Sequence, residues 1–253
     1  MVKKEDIRNV MITGHGSCGK TTLAETMLHK TGKTNRLGKI EEGSTVNDFD
    51  DEEKSHGHSV HASLLWTEHN GKKINIIDTP GYPDFLGAAL QSIPAVETGL
   101  IVINAANGIE INTRKMFNAL DNNGKAKVIV INRMDADNVE LGELINSIQE
   151  TFGTACRCAN LPNADKSGVI DCIANCEGDS PLMSVSDAHT ELIESVIEAD
   201  DELMEAYLGG EQVSPEKIGQ VFAKAMLAGT IVPIVFTDRR EEVGITELMD
   251  IVT

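Results

Sequence analysis

Up to about residue 150, short apolar runs alternate with amphipathic stretches, the pattern of an α/β chain with a mostly parallel sheet. Val10–Thr13 reads as a buried strand, a Gly-rich turn follows, and a helix is expected from about Lys20 to Lys30. Val60–Glu68 and Lys73–Asp78 flank Asn70-Gly71 and predict a hairpin closed by a tight turn. Gly99–Asn104, Lys127–Asn132 and Val232–Thr237 supply three further strands, with helices at about 109–123, 138–152 and 244–252. Residues 33–58 are polar and Gly-containing with little periodicity, and a loop that long inside a compact domain is usually functional or mobile.

The rhythm breaks between residue 153 and about 230. Two strand-like runs, Ala155–Leu161 and Gly168–Ala174, flank a loop at Pro162–Ser167, and two helices follow near 187–208 and 214–228. The last strand and helix complete the sheet only afterwards. The segment 153–230 therefore reads as an α+β insertion packed against a main domain built from 1–152 and 231–253.

Composition narrows the setting. The chain is 41% hydrophobic and 25% charged, enough for a sizeable core. It has no run of about 18 apolar residues that would cross a membrane. The N-terminus enters a strand within its first turns, leaving no room for a signal peptide, and five scattered cysteines then favour free thiols in a reducing cytosol. A net charge of −18 argues against non-specific binding of DNA or RNA, while leaving room for a specific contact through a small patch.

Gly14-His15-Gly16-Ser17-Cys18-Gly19-Lys20-Thr21 fits the phosphate-loop pattern G-x-x-x-x-G-K-[ST], between an apolar strand and a helix. Glycines let such a loop wrap phosphates with backbone amides at a helix N-terminus. Lys20 is expected to bridge the β and γ phosphates, and the Thr21 hydroxyl to ligate magnesium. Asp78 ends the next apolar strand and is followed by Thr79-Pro80-Gly81; an acid there suits a magnesium-bound water, and the Gly81 amide is placed to sense a γ phosphate. Asn132-Arg133-Met134-Asp135 closes a third strand. The Asp135 carboxylate can accept both the imino and amino protons of guanine, whereas adenine would leave polar groups unpaired. Asn132 is expected to tie this segment to the phosphate loop, and Arg133 to lie over the base. A P-loop kinase or ATPase is disfavoured by this element.

These residues resemble the elongation factor G family of translational GTPases, and the likeness runs through nearly the whole chain. Residues 14–22, from Gly14 to Thr22, are similar to the family's GHIDAGKTT. Ser55–Val60 stands where the family has ERGITI, Asp78–Phe85 resembles DTPGHVDF, and Asn132–Asp135 resembles NKMD. Within the insertion, Leu161-Pro162 with Gly168–Asp171 resembles LP…GVIDL, and Glu198–Leu208 is similar to AEADEELMEKYL. Gly229–Pro233 aligns with GKIVP. The resemblance implies a P-loop GTPase fold, a mostly parallel sheet with helices on both faces. It further implies GTP and GDP as ligands, with magnesium held by Thr21, Ser59 and Asp78. Hydrolysis would be linked to the ribosome, with a ribosomal stalk protein as a partner of the insertion. The family continues into further domains, so a longer parent protein is expected.

Departures from the family also carry expectations. The family's water-positioning His is here Tyr82, and a phenol is a poor general base at neutral pH. Tyr82 is nonetheless expected to join Lys20 and Gly81 in catalysis, holding water by a hydrogen bond. With no arginine finger in evidence, unaided hydrolysis should be slow. The rival reading is a GTP-dependent switch that scarcely turns nucleotide over. Ser17 replaces an Asp, Ser59 keeps the switch hydroxyl, and the final guanine contact falls on Asp238, a poor match.

Sharper readings stand beside plainer ones. His56, His58 and His61 have spacing that could ligate zinc, but a solvated loop is the plainer expectation. Cys156, Cys158, Cys172 and Cys176 match no common zinc module and read as small apolar residues. Cys18, near a helix N-terminus, is a candidate reactive thiol. Acidic residues from Asp187 to Glu205 recur at helical spacing and read as a solvated face.

Overall fold

Alternation along the three central strands sends side chains into two separate apolar layers. In the computed structural model, which describes residues 2–47, 53, 57–136, 139–209, 215–239 and 242–253, Val10, Ile12, Leu100, Val102, Val128 and Val130 pack into one layer. Met11, Ile101, Ile103, Ile129 and Ile131 pack into the other. Period-two burial on both faces is what a strand roofed on both sides requires.

The elements in chain order are β1 (Ile7–Gly14), α1 (Lys20–Lys30), β2 (Ser63–His69), β3 (Lys72–Asp78) and α2 (Leu86–Ser92). Then come β4 (Thr98–Asn104), α3 (Ile111–Asn122), β5 (Ala126–Asn132) and α4 (Leu141–Phe152). The next part holds β6 (Cys156–Cys158), β7 (Asn160–Pro162), β8 (Val169–Asp171), α5 (Val185–Ile197), α6 (Asp201–Leu208) and α7 (Pro215–Ala228). β9 (Val232–Thr237) and α8 (Ile245–Val252) complete the series. The main sheet has seven strands in the order β2-β3-β1-β4-β5-β9-β6. Only β2 runs antiparallel, paired with β3 around Asn70-Gly71. Helices α1 and α8, with α5 and α7, cover one face; α2, α3 and α4 cover the other. The fold is that of a P-loop GTPase.

Three local expectations need correction. The run Ala155–Leu161 is two strands, because the chain changes partners at Ala159. Cys156–Cys158 lies parallel to Val232–Ile234 at the edge of the main sheet, whereas Asn160–Pro162 pairs antiparallel with Val169–Asp171. Asn160 bridges the change: its side-chain amide donates to the Phe236 carbonyl at 3.2 Å and accepts from the Phe236 amide at 2.7 Å, as a backbone would. The helix expected near 187–208 is also two, since the Asp200 carboxylate accepts from the Leu203 amide at 3.3 Å and caps a fresh start. Finally, α2 follows Pro83 where no helix is expected; of its short length only Ala89 and Ser92 are buried.

Within 153–230, Leu192, Ile193 and Val196 of α5 and Val221, Phe222, Ala225 and Met226 of α7 bury against the same core as Val128, Val130 and Val235 of the main sheet. Burying side chains of this size stabilises by roughly 1.5–3 kcal/mol each. Among the described residues no helix is long and apolar enough to cross a membrane.

Candidate nucleotide-binding site

Parallel strands that end at the same edge of a sheet deliver their following loops to one place. Here β1 ends at Gly14, β3 at Asp78, β5 at Asn132 and β9 at Thr237, and these strand ends, the loops after them and the first turn of α1 hold every site residue expected from the sequence except Ser59.

The phosphate loop runs from Gly14 into α1. Gly19 adopts a left-handed φ of 99°, and a β-carbon on it would overlap the Asn132 side-chain amide. That closeness is used: Asn132 donates to the Cys18 carbonyl at 3.2 Å, tying the β5 loop to the phosphate loop. Ser17 sits at φ 62°, a conformation that costs a non-glycine residue about 1–2 kcal/mol. The Lys20 ammonium is buried and donates to the His15 carbonyl at 2.7 Å. Gly81 lies directly beside it, so close that a β-carbon there would overlap the ammonium. The Gly81 carbonyl accepts from Asn112 at 2.8 Å, a fully buried side chain on α3.

Below this, oxygen-bearing groups cluster. The Thr21 hydroxyl donates to the Asp78 carboxylate at 2.8 Å and lies 3.2 Å from the Ser59 hydroxyl. Asn47 donates to the same Asp78 oxygen at 2.7 Å. Two hydroxyls and a carboxylate form a hard, all-oxygen donor set, and that chemistry fits magnesium better than a transition metal. Thr79 anchors the strand end by donating from its hydroxyl to the Ile12 carbonyl at 2.8 Å, and Pro80 is buried after it. Asn47 and Asn112 were not legible as site residues: one is an isolated Asn in a polar stretch, the other an Asn in the first turn of an amphipathic helix, and only folding brings them to Asp78 and Gly81.

Tyr82 behaves differently from its neighbours. Its ring covers Gly16, and its hydroxyl lies 3.3 Å from the Ser17 hydroxyl on the loop's outer rim. The His58 ring lies against the Tyr82 ring, tilted by 47° at 4.5 Å between centroids, with Phe85 at 6.0 Å from His58. His58 is thus a packed residue on the cleft wall rather than part of a solvated loop, whereas His61 is exposed. His56 lies outside the described residues. Among the described residues no group of three His, Cys, Asp or Glu side chains could hold a metal ion.

The base side is looser. Met134 is buried, Asp135 is half-buried, and Arg133 is exposed at a left-handed φ of 59° on the rim of the cleft. Asp238 is buried and its amide donates to the Val243 carbonyl at 3.0 Å, so its backbone is committed to a turn. His15 lies 3.5 Å from Glu110, and Thr22 is half-buried in the first turn of α1.

Cys18 overturns the expectation of a reactive thiol. It is fully buried, and loss of solvent pushes its pKa up despite the neighbouring Lys20 charge. Burial likewise pushes Cys156, Cys158 and Cys172 up to about 12.

Comparison with known proteins identifies the family. The family described as "Elongation factor Tu GTP binding domain" matches residues 5–253, and the chain belongs to that family. More narrowly, it is similar to the GTP-binding domains of elongation factor G-like proteins. It is 30% identical to a mitochondrial ribosome-releasing factor 2 of Drosophila virilis, over 98% of this chain and 38% of that protein. It is also 30% identical to an elongation factor G-like protein of Mycobacterium tuberculosis, over 98% of this chain and 36% of that one. A crystal structure from Thermus thermophilus superposes with a TM-score of 0.88 at 28% identity, over 97% of this chain and 39% of that one. The chain therefore spans under two-fifths of the length of these relatives.

Proposed function

We propose that this domain binds GTP with magnesium and hydrolyses it to GDP and phosphate, in a cycle that the whole protein couples to the ribosome. The observation that carries the reading is the convergence of Lys20, Thr21, Ser59, Asp78 and Gly81 on one cleft, with Asn132 fastening the guanine-reading segment to it. Gly14, Gly16 and Gly19, with the amides of His15, Ser17 and Cys18, cradle the phosphates. Asp135 reads guanine, and Arg133 covers the base. Asp238 contributes at the base edge through a turn that its backbone already closes. Thr21 and Ser59, with Asp78 through a bound water, would hold the magnesium, which would supply positive charge to the phosphates.

In the reaction, the water oxygen bonds to the γ phosphorus as the bond to the β–γ bridging oxygen breaks. The bridging oxygen keeps the electron pair and leaves on GDP, and the water proton ends on the phosphate product. Lys20 and the loop amides stabilise the charge that gathers on these oxygens. Unaided turnover is expected to be slow, since the sequence offers no evident arginine finger. The ribosome is the expected accelerator, the acidic helix face of α5 and α6 the expected contact for a stalk protein, and the cytoplasm the expected compartment.

One observation favours a second reading, a switch with little turnover: the Tyr82 hydroxyl is drawn to Ser17 on the rim. Single-turnover GTP cleavage by the full-length parent, with and without ribosomes and beside Tyr82→His, separates the two. Strong stimulation of the unmodified protein supports hydrolysis. A flat response, rescued by Tyr82→His, establishes the switch. Equal affinity for GDP and ADP would sink the guanine assignment itself.

A further inference from the structure

We propose that Asn47 belongs to the magnesium site, its side-chain carbonyl accepting a hydrogen bond from a water bound to the cation. The inference rests on the magnesium-nucleotide reading above and adds a residue to that site. Asn47 is 1% exposed, and its side-chain amide enters the oxygen cluster at the end of β3. A carboxylate only accepts hydrogen bonds, so Nδ2 must be the atom that faces Asp78, and it does so at 2.7 Å. The same Asp78 oxygen accepts from Thr21 at 2.8 Å, and the Thr21 hydroxyl lies 3.2 Å from that of Ser59. One planar amide carries both polar atoms of Asn47, so Oδ1 sits beside the cluster that Nδ2 enters.

Oδ1 has no hydrogen-bond partner among the described residues, although it is shut off from solvent. Burying an acceptor without a donor is costly, and few such atoms survive in a folded chain. The surroundings name the donor. Hydroxyls, a carboxylate and an amide carbonyl are the oxygen groups that suit magnesium, a cation that keeps several of its waters when bound. A water polarised by such a charge donates its protons readily. The backbone around Asn47 is held on both sides for this role. Before it, the Val46 amide donates to Glu25, a buried carboxylate on α1, and Gly38 packs so closely on Glu25 that a β-carbon would overlap its second oxygen. On the other side, the main-chain carbonyl of Asn47 accepts from the Ser63 hydroxyl at 3.2 Å. Asn47 thus acts at two points: Nδ2 steadies the Asp78 carboxylate, and Oδ1 steadies the water.

The test is release of a fluorescent, non-hydrolysable GTP analogue from the full-length protein, followed across a magnesium titration and in EDTA. Release from the unmodified protein should slow as magnesium rises, and the midpoint reports cation affinity. Asn47→Leu, similar in size but without polar atoms, should raise that midpoint about tenfold, the scale for losing a group that orders a metal's surroundings, while release in EDTA moves by under about twofold. Asn47→Thr returns a hydroxyl able to accept from the water and should recover most of the shift. An unchanged midpoint, or release in EDTA that speeds by the same factor as in magnesium, would mean that Asn47 does not serve the cation. A shift that Asn47→Thr leaves untouched would trace to packing and equally overturn the proposal. If magnesium fails to slow release from the unmodified protein at all, the magnesium-nucleotide reading itself falls.

Discussion

The two ends of the proposed nucleotide cleft are built on the same sheet edge but on different terms. At the phosphate end Lys20, Thr21, Asp78 and Gly81 are buried and already bonded to one another or to the backbone. At the base end Arg133 is exposed, Asp135 is half-buried, and Asp238 has its amide locked in a turn. The difference teaches where preorganisation is worth most. Multiply charged phosphates reward a fixed cage, because every donor held in place beforehand lowers the ordering cost on binding. A flat base needs one correctly aimed carboxylate and a cover that can move.

The comparison is broken most severely at the phosphate end. Lys20→Ala should weaken GTP by about two to three orders of magnitude, read by fluorescence titration, since it removes a charge-assisted contact from a desolvated site. At the base end Asp135→Asn should weaken GDP about 100-fold while raising affinity for xanthosine diphosphate. The carboxamide donates to a second carbonyl where the carboxylate accepted from an amine. An unchanged GDP affinity would remove Asp135 from the base site. Asn132 joins the two ends. Asn132→Ala should cost about 1–3 kcal/mol, measured by denaturant unfolding, and weaken GDP and GTP alike.

Smaller effects are expected away from the cleft. The native protein at pH 8 should alkylate first at Cys176, which is exposed. With Cys156, Cys158 and Cys172 pushed up to about 12, their thiolate fraction at that pH is about 10⁻⁴. Peptide mapping after brief iodoacetamide treatment checks this, and early labelling of Cys18 would contradict its burial. Arg157→Ala breaks a 2.8 Å pair with Glu191, whose side chain is 44% exposed, so under about 1 kcal/mol is expected in a thermal melt, with GDP affinity unmoved.

What was legible in the sequence follows the same division. The strands that carry the phosphate end finish in largely apolar runs closed by Gly, Asp or Asn, and both runs and closing residues stand out locally. Thr21 meeting Asp78, and Asn132 reaching back to the phosphate loop, follow from that placement. Less could be read where two distant segments must meet to give a residue its meaning. Asn47 is one polar residue in a polar stretch until it reaches Asp78. His58 looks like part of a histidine-rich loop until Tyr82 is folded against it. The strand break at Ala159 has no local signal either, since Asn160 takes its role only from the Phe236 backbone it imitates.

That break bears on how residues between β6 and β9 are understood. The two strands are parallel neighbours, so the chain leaving Cys158 must return to the opposite end of the sheet before it can begin Val232. A parallel pair demands such a return path, ordinarily a single helix laid across the sheet. Here α7 takes that position, with Phe222 and Met226 against the sheet, while the hairpin, α5 and α6 are threaded into the route beforehand. The segment thus also makes the crossover that β6 and β9 require, with a hairpin and two helices added along the route. Cutting it out as a cassette would strip the roof from Val128 and Val130; shortening it to a linker and α7 would keep the sheet closed.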